Sequence, residues 1–145
     1  PDFQTYIKNV LANAKMLAET LKNNGFKIYS GGTDTHLMLV DLRPFNVKGN
    51  LASESLCRAN ITCNKNGIPF DTEKPMITSG IRLGSQAATT RGFGLKEFEK
   101  VGNLITKVIK GLSENPDDNS KIENEVRDEV VNLCSNFPIY KNLNK

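Results

Sequence analysis

The fold is decided by a short stretch near the middle of the chain, Ser79-Gly80-Ile81-Arg82-Leu83-Gly84-Ser85. Side-chain character alternates along it and a glycine flanks each end of its core, which is typical of a short strand. A strand needs neighbours, and the strongly apolar run 36–42 predicts a second one. Residues 26–29 predict a third. The tight polar turn 30–35 joins these last two, so we expect them to be antiparallel neighbours.

Amphipathic helices are predicted before and after these strands. Apolar residues recur every three or four positions over residues 2–24, and Gly25 follows them, where a left-handed cap favours glycine. Further helices are predicted over 50–60 and 94–115, and the run Ser120-Lys121-Ile122-Glu123 matches the capping box that opens a fourth. The remaining segments read as extended over 61–63, as a turn over 64–67 and as irregular over 67–79.

This order of elements predicts an α+β fold in one domain, residues 1–145. A small, largely antiparallel sheet has helices packed on one face and is led by the long N-terminal helix. The composition is that of an ordinary globular domain, with 38% hydrophobic and 24% charged residues. No apolar run reaches about 18 residues, so no membrane partner is expected. The 19 basic residues are dispersed among 16 acidic ones and tryptophan is absent, so no nucleic acid is expected.

Cysteine and histidine usage predicts no metal site. The three cysteines lack C-x-x-C spacing, and His36 has no second histidine beside it, so neither a zinc site nor a disulfide framework is expected. The thiols read as small side chains in a reducing compartment. The chain starts at Pro1, without an initiator methionine or a signal segment, and we expect either a processed chain or a piece of something larger.

Arg82 is the residue of the predicted strand whose side chain most clearly indicates a binding role. A buried guanidinium without a partner is costly, so Arg82 must reach solvent or find an anion. Its planar fork fits a carboxylate with two hydrogen bonds, which leaves an anion-binding role and a structural ion pair both open. Arg91, before Gly92, is a weaker candidate of the same kind. The polar cluster 64–66 would lie near Arg82 if the two segments pair, although turn chemistry is the commoner meaning of such a cluster.

Six motifs occur in one order along the chain. They are Ser30-Gly31-Gly32-Thr33-Asp34-Thr35-His36, Val40-Asp41-Leu42-Arg43, Ile61-Thr62-Cys63-Asn64-Lys65-Asn66, Pro69-Phe70-Asp71, Ser79-Gly80-Ile81-Arg82-Leu83-Gly84 and Thr89-Thr90-Arg91-Gly92-Phe93. Together they resemble the C-terminal small domain of serine hydroxymethyltransferase, over roughly residues 3–112. The residues of the motifs are closest to those of eukaryotic members. The resemblance implies part of a fold-type I enzyme that uses pyridoxal 5'-phosphate, interconverts serine and glycine, and moves a one-carbon unit to tetrahydrofolate.

The resemblance also implies roles for particular residues. Arg82 falls on the family arginine that binds the carboxylate of the amino-acid substrate. Asn66 and the loop Lys74-Pro75-Met76 fall on positions that line the folate site. Cys63 stands where the family often has a plain apolar residue, so its thiol is either redox-active or merely small. Ser85-Gln86 replaces a Thr-Pro that is common in the family, a change expected to loosen the backbone without removing the arginine.

No catalytic residue is expected within this chain. In the family, the lysine that forms a Schiff base with the cofactor, the histidine stacked on its ring and the aspartate paired with its pyridine nitrogen all lie in the large domain. No lysine here has the expected threonine- and histidine-rich surroundings. The resemblance therefore implies that this chain alone is inactive and that the large domain holds most of the cofactor. It also implies a homo-oligomer, either dimer or tetramer, located in the cytoplasm or in an organelle matrix.

Three other interpretations stay open at this point. The first is the small domain of a different fold-type I pyridoxal-phosphate enzyme, an aminotransferase or a decarboxylase, with a similar carboxylate-binding arginine. The second is a non-enzymatic domain that binds a carboxylate or folate by itself. The third is a structural or interaction module only. In the last case the apolar faces of the first and third predicted helices would be exposed.

Overall fold

Helices and short strands alternate along the chain in the structure, a computed structural model that describes residues 2–29 and 36–137. In chain order the elements are α1 (Asp2–Asn23), β1 (Lys27–Tyr29), β2 (Leu37–Asp41), α2 (Gly49–Arg58), β3 (Asn64–Asn66), β4 (Gly80–Gly84), α3 (Gln86–Thr90), α4 (Leu95–Glu114) and α5 (Ser120–Ser135). The predicted α+β class, with its long leading helix, is confirmed.

The strands form one four-stranded antiparallel sheet in the order β1-β2-β4-β3. The predicted antiparallel pairing of β1 with β2 is confirmed, while the turn 30–35 between them lies outside the described residues. Strand β4 is interior, so Arg82 lies opposite Leu39 of β2 on one side and opposite Asn64 of β3 on the other. Because hydrogen-bonded ladders flank β4 on both sides, its backbone position is held from two directions.

The two faces of the sheet differ in character. Met38 and Val40 of β2 and Ile81 and Leu83 of β4 are buried within the core beneath the helices. Side chains alternate between the faces of a strand, so the residues between them belong to the other face. There Leu39 is half-buried and Arg82 is exposed. We call this second side the open face; by register it comprises Lys27, Tyr29, Leu37, Leu39, Asp41, Asn64, Asn66, Gly80, Arg82 and Gly84.

The core lies between the sheet and the pair α1 and α4. These two helices approach closely at Gly102, where an added Cβ would lie 2.7 Å from Cγ2 of Thr20. The predicted apolar face of α1 is buried from Val10 onward, whereas Phe3 near its start is 73% exposed. Helix α1 ends as predicted before Gly25, whose φ is +105°. Within the part of the chain that the structure describes, no helix combines the length and apolar character needed to cross a membrane.

Two sequence-based assignments of secondary structure are wrong. Residues 64–66, predicted as part of a turn, form strand β3 and pair with β4. Asparagine is a poor strand former, and the partner strand overrides that local preference. Helix α3 was not predicted at all, because five residues are too few to show a helical period. It is held by a buried hydrogen bond from Asn13 Nδ2 of α1 to Thr89 Oγ1, at 2.9 Å.

The predicted capping box at the start of α5 is also wrong. No side chain caps the helix at Asn119, and Ser120 instead donates a hydrogen bond to Oδ1 of Asp118 at 2.7 Å. The Glu123 carboxylate turns away to α2, where it accepts hydrogen bonds from Arg58 Nε at 2.8 Å and Nη2 at 2.9 Å. It also accepts a hydrogen bond from the hydroxyl of Ser55. Glu123 is 4% exposed, so this cluster joins α5 to α2 through a nearly buried charge.

The hydrogen bonds from Arg58 hold the pKa of Glu123 below its ordinary value, although burial opposes this shift. Glu123→Ala is expected to lower the free energy of unfolding by about 2–3 kcal/mol, because Ser55 loses its acceptor and Arg58 its counterion. The contribution of ionised Glu123 to the free energy of unfolding is complete above the ordinary glutamate pKa of 4.5. It is lost as the pH falls through the lower pKa that Glu123 has in the folded state. Urea unfolding of both proteins at neutral and acidic pH measures this difference.

Glu125→Ala is the matched control on the same helix. Glu125 forms an ion pair with Lys107 at 3.1 Å, with side-chain exposures of 43% and 41%. An exposed pair of this kind contributes under about 0.5 kcal/mol. Equal losses in the two variants would show that the Glu123 cluster does not hold α5 against α2.

Candidate functional site

Arg82 is the central residue of the open face. Its strand lies inside the sheet, with Leu39 and Asn64 as its neighbours across the two ladders. Among residues 2–29 and 36–137, none forms a hydrogen bond or an ion pair with its guanidinium. The structural ion pair left open by the sequence is therefore absent from the described chain, and no described residue occupies the donors that Arg82 could offer to an anion.

The acidic residue of the described strands, Asp41, is already occupied. It lies on the open face opposite Gly80, and Arg43 donates from Nε at 3.1 Å to each of its oxygens and from Nη2 at 2.8 Å to Oδ2. This hydrogen-bonded carboxylate raises the pKa of Arg43. Because Arg43 neutralises Asp41, no carboxylate of the described strands remains to pair with Arg82. The sequence placed Asp41 and Arg43 in a motif but predicted no role for them.

Asn66 lies at the β3 edge of the open face, opposite Gly80. It is half-buried, and its amide donates to the carbonyl oxygen of Gly67 at 2.9 Å. The pairing of residues 64–66 near Arg82, which the sequence left as a condition, is confirmed by the opposition of Asn64 and Arg82. The amide of Asn66 and the guanidinium of Arg82 therefore share one face on adjacent strands.

The loop Lys74-Pro75-Met76 is exposed, and Met76 is 78% exposed. Its backbone makes a turn in which the carbonyl oxygen of Lys74 accepts hydrogen bonds from the amides of Ile77 and Thr78. The ammonium of Lys65, next to Asn66 in β3, donates to the carbonyl oxygen of Met76 at 2.7 Å. This hydrogen bond links the predicted folate-site loop to β3, the strand that also carries Asn66.

Asp71 occurs in one of the six motifs, but the sequence predicted no role for it. Its carboxylate accepts four hydrogen bonds within the segment that contains the loop, from the amides of Ile68, Glu73 and Ser79 and from the hydroxyl of Ser79. Burial raises the pKa of this group, but the hydrogen bonds outweigh it and the pKa is lowered to about 2. An aspartate within the irregular stretch 67–79, in Pro69-Phe70-Asp71, was the available signal for a loop-organising residue.

Cys63 is half-buried against the core beside β3. Burial raises the pKa of its thiol to about 12, with the neighbouring Cys57 adding to the effect. The reactive form of cysteine is the thiolate, so at neutral pH Cys63 is held in its less reactive state. The redox role stays a prediction, and this shift weighs on the side of a small packing residue.

The described residues do not by themselves fit a site for pyridoxal phosphate. A lysine that bonds a cofactor is desolvated in a pocket, but the described lysines are all exposed apart from Lys107, which is half-buried in a surface ion pair. Across the two described segments, no group of three histidine, cysteine, aspartate or glutamate residues is arranged to hold a metal ion. No step through the cofactor is therefore assigned to this chain.

The fold and the open face together define a class of protein: an α+β domain that presents, beside a polar strand edge and an exposed loop, an arginine with no partner in the part of the chain that the structure describes. The sequence profile described as "Serine hydroxymethyltransferase" matches residues 1–105 of the chain. The chain belongs to the serine hydroxymethyltransferase family.

Curated relatives agree with this assignment. The chain is 86% identical over 143 residues to a serine hydroxymethyltransferase of Pelagibacter ubique. It is 62% identical over 141 residues to one of Marinomonas and 61% identical over 140 residues to "Serine hydroxymethyltransferase 2" of Ralstonia nicotianae. These alignments cover 97–99% of the chain but only 33% of each relative, so the chain spans about a third of their length. All three organisms are bacteria. These relatives therefore do not support the prediction that the motifs are closest to those of eukaryotic members.

Gly80 allows β4 to lie close to its neighbours beside the site. A Cβ at this position would lie 2.9 Å from the carbonyl oxygen of Val40 and 3.0 Å from that of Asn66. These are backbone atoms of the two flanking strands, which cannot shift without disturbing their ladders. Gly80→Ala is therefore expected to lower the free energy of unfolding by about 1–3 kcal/mol, measured by urea unfolding.

Gly84→Ala on the same strand is the control. The nearest atom to its added Cβ is Cδ2 of Leu37 at 3.0 Å, the end of a flexible side chain that can turn aside. The expected loss is under about 1 kcal/mol. A Gly84 variant as unstable as the Gly80 variant would contradict this account of the close strand approach.

Proposed function

We propose that residues 1–145 are the C-terminal small domain of a serine hydroxymethyltransferase, and that this domain supplies the substrate-carboxylate arginine and part of the folate site. The complete enzyme interconverts serine and glycine and transfers a one-carbon unit to tetrahydrofolate. The observation that carries this proposal is the guanidinium of Arg82 on the open face: it has no partner among residues 2–29 and 36–137, and Arg43 already neutralises Asp41 there.

In this proposal, Arg82 binds the carboxylate of serine or glycine through two parallel N–H···O hydrogen bonds. Two contacts fix the orientation of the α-carbon as well as its position, and positioning of this kind lowers the barrier by removing rotational freedom in advance. Pyridoxal phosphate, which the rest of the protein would hold, would supply an electron sink for the reaction. Because β4 is an interior strand, the backbone beneath Arg82 has little freedom to move.

The folate part of the proposal rests on the chemistry at the β3 edge. The amide of Asn66 both donates and accepts hydrogen bonds, which suits the polar edge of a pterin ring. The ammonium of Lys74 suits a carboxylate of the glutamyl tail, and the exposed Met76 thioether suits an aromatic ring. Lys65 tethers this loop to β3 through the carbonyl oxygen of Met76. Tetrahydrofolate is therefore the proposed co-substrate at Asn66, Lys74, Pro75 and Met76.

The open face needs a cover for this chemistry to proceed. Arg82 is exposed in the described chain, and a charged pair is stronger where water is excluded. About two thirds of the length of the curated relatives lies outside the matched part. We propose that the large domain, with the cofactor, covers the open face, and that the complete protein is a homo-oligomer in the cytoplasm.

Arg82 can be tested in a full-length chimera, in which this chain replaces the matching third of the Pelagibacter ubique relative. Arg82→Ala is expected to lower kcat/KM for serine at least about a hundredfold, because the substrate carboxylate loses a charged two-point partner. Arg82→Lys keeps the charge but loses the fork, so a loss of about tenfold or more is expected. Steady-state kinetics measure both, and the absorbance of bound pyridoxal phosphate is expected to stay unchanged.

Arg127→Lys makes the same chemical change away from the open face. Arg127 is exposed on α5 and donates hydrogen bonds to the carbonyl oxygen of Arg58, so serine turnover is expected to stay near normal. Near-normal serine affinity in Arg82→Lys and Arg82→Ala would refute the role of Arg82. Turnover of another amino acid, without folate-dependent formation of glycine from serine, would favour a different fold-type I enzyme.

Calorimetry on the isolated chain separates the enzyme part from a self-sufficient binding domain. The described lysines offer no covalent site for the cofactor, and the open face lacks its proposed cover. Neither glycine nor folate is therefore expected to bind measurably at millimolar concentrations. Tight binding of either ligand to residues 1–145 alone would instead identify a non-catalytic binding module.

A further inference from the structure

The segment 67–79, which carries the loop Lys74-Pro75-Met76, is organised around one carboxylate. Oδ1 of Asp71 accepts hydrogen bonds from the amide of Glu73 at 2.9 Å and from the hydroxyl of Ser79 at 2.8 Å. Oδ2 accepts from the amide of Ile68 at 3.2 Å and from the amide of Ser79 at 2.8 Å. The carboxylate therefore joins the beginning of the segment, the residue before the loop and the residue before strand β4.

The backbone on either side of these bonds adopts unfavourable conformations. Phe70 has φ 57° and Thr78 has φ 61°, values at which a side chain bearing Cβ is strained, most of all a bulky or β-branched one. Packing does not compensate at Phe70, because its ring is 98% exposed. The bond between Ile68 and Asp71 spans Phe70, and the residue that follows Thr78, Ser79, donates two hydrogen bonds to the same carboxylate. The carboxylate therefore holds the segment in this shape, together with the backbone hydrogen bonds that the amides of Gly49 and Asn50 donate to the carbonyl oxygens of Thr78 and Ile77.

Arg82 does not depend on the same carboxylate. Its strand is paired along its length with β2 and for three residues with β3, and Asp71 takes no part in these ladders. The loop Lys74-Pro75-Met76 has no such ladder. It lies between two residues that Asp71 holds, Glu73 and Ser79, with Lys65 as a further tether at Met76.

We propose that Asp71 is a positioning residue for the folate site, which holds Lys74, Pro75 and Met76 in the arrangement that meets tetrahydrofolate while leaving the amino-acid site at Arg82 unaffected. This inference rests on the proposed function. It assigns to Asp71 no contact with substrate or cofactor. Its effect is exerted through the backbone of the loop, so it acts on the affinity for folate and not on the binding of serine.

The test uses the full-length chimera and the variant Asp71→Asn. Asparagine has nearly the same shape, but it replaces one double acceptor by an NH2 group that faces two donors. The KM for tetrahydrofolate is expected to rise about tenfold or more, with the KM for serine within about twofold of the starting value. Ser79→Ala removes one of the four bonds and is expected to raise the KM for tetrahydrofolate about threefold, which provides a milder variant if Asp71→Asn folds poorly.

Asp118→Asn is the matched control, because Asp118 also accepts hydrogen bonds from a backbone amide and a hydroxyl, both of Ser120, at the turn before α5. It is expected to leave both KM values unchanged. If Asp71→Asn and Ser79→Ala behave like this control, or raise the KM values for serine and folate equally, the positioning role is overturned. A chimera without substitutions that forms no glycine from serine overturns the proposed function itself, and this inference with it.

Discussion

The arrangement of the interior strand β4 is the constraint on which the rest of the structure depends. Its residues alternate between a buried apolar face and the open face, and ladders hold it on both sides. One strand therefore completes the core through Ile81 and Leu83 and presents Arg82 on the opposite side. Gly80 permits this by letting the flanking carbonyl oxygens approach where a Cβ would collide.

The carboxylates of Asp41 and Glu123 are each paired with an arginine other than Arg82. Arg43 takes both oxygens of Asp41, and Glu123, the buried acid of α5, is taken by Arg58 on the helical side of the molecule. Because both carboxylates already have partners, neither competes with a ligand for the hydrogen-bond donors of Arg82. The carboxylate of Asp71 is also fully hydrogen-bonded. Its four donors are backbone amides and a hydroxyl and not an arginine, so these bonds fix the shape of a loop.

Much of the fold was predictable because it follows from periodicity. The apolar stripes of α1 and α4 and the alternation around Arg82 are local signals that tertiary packing reinforces. The assignments that failed were those in which an interaction with a residue distant in sequence outweighed a local conformational preference. Residues 64–66 pair with β4 although asparagine favours turns. Glu123 binds Arg58 and Ser55 instead of capping its own helix, because a buried charge with several hydrogen bonds outweighs one exposed capping bond.

The amino-acid sequence by itself determined the α+β class, the family and the choice of Arg82 as the chemically important residue, because side-chain period and motif order are properties of the chain alone. It named Asn66, Lys74, Pro75 and Met76 only through resemblance. The tertiary structure decided that Arg82 has no partner within the described chain, that Lys65 tethers the loop to β3 and that Asp71 shapes it. These facts depend on which donors and acceptors meet across strands and loops, and hydrogen bonds between segments distant in sequence leave no periodic signal in it.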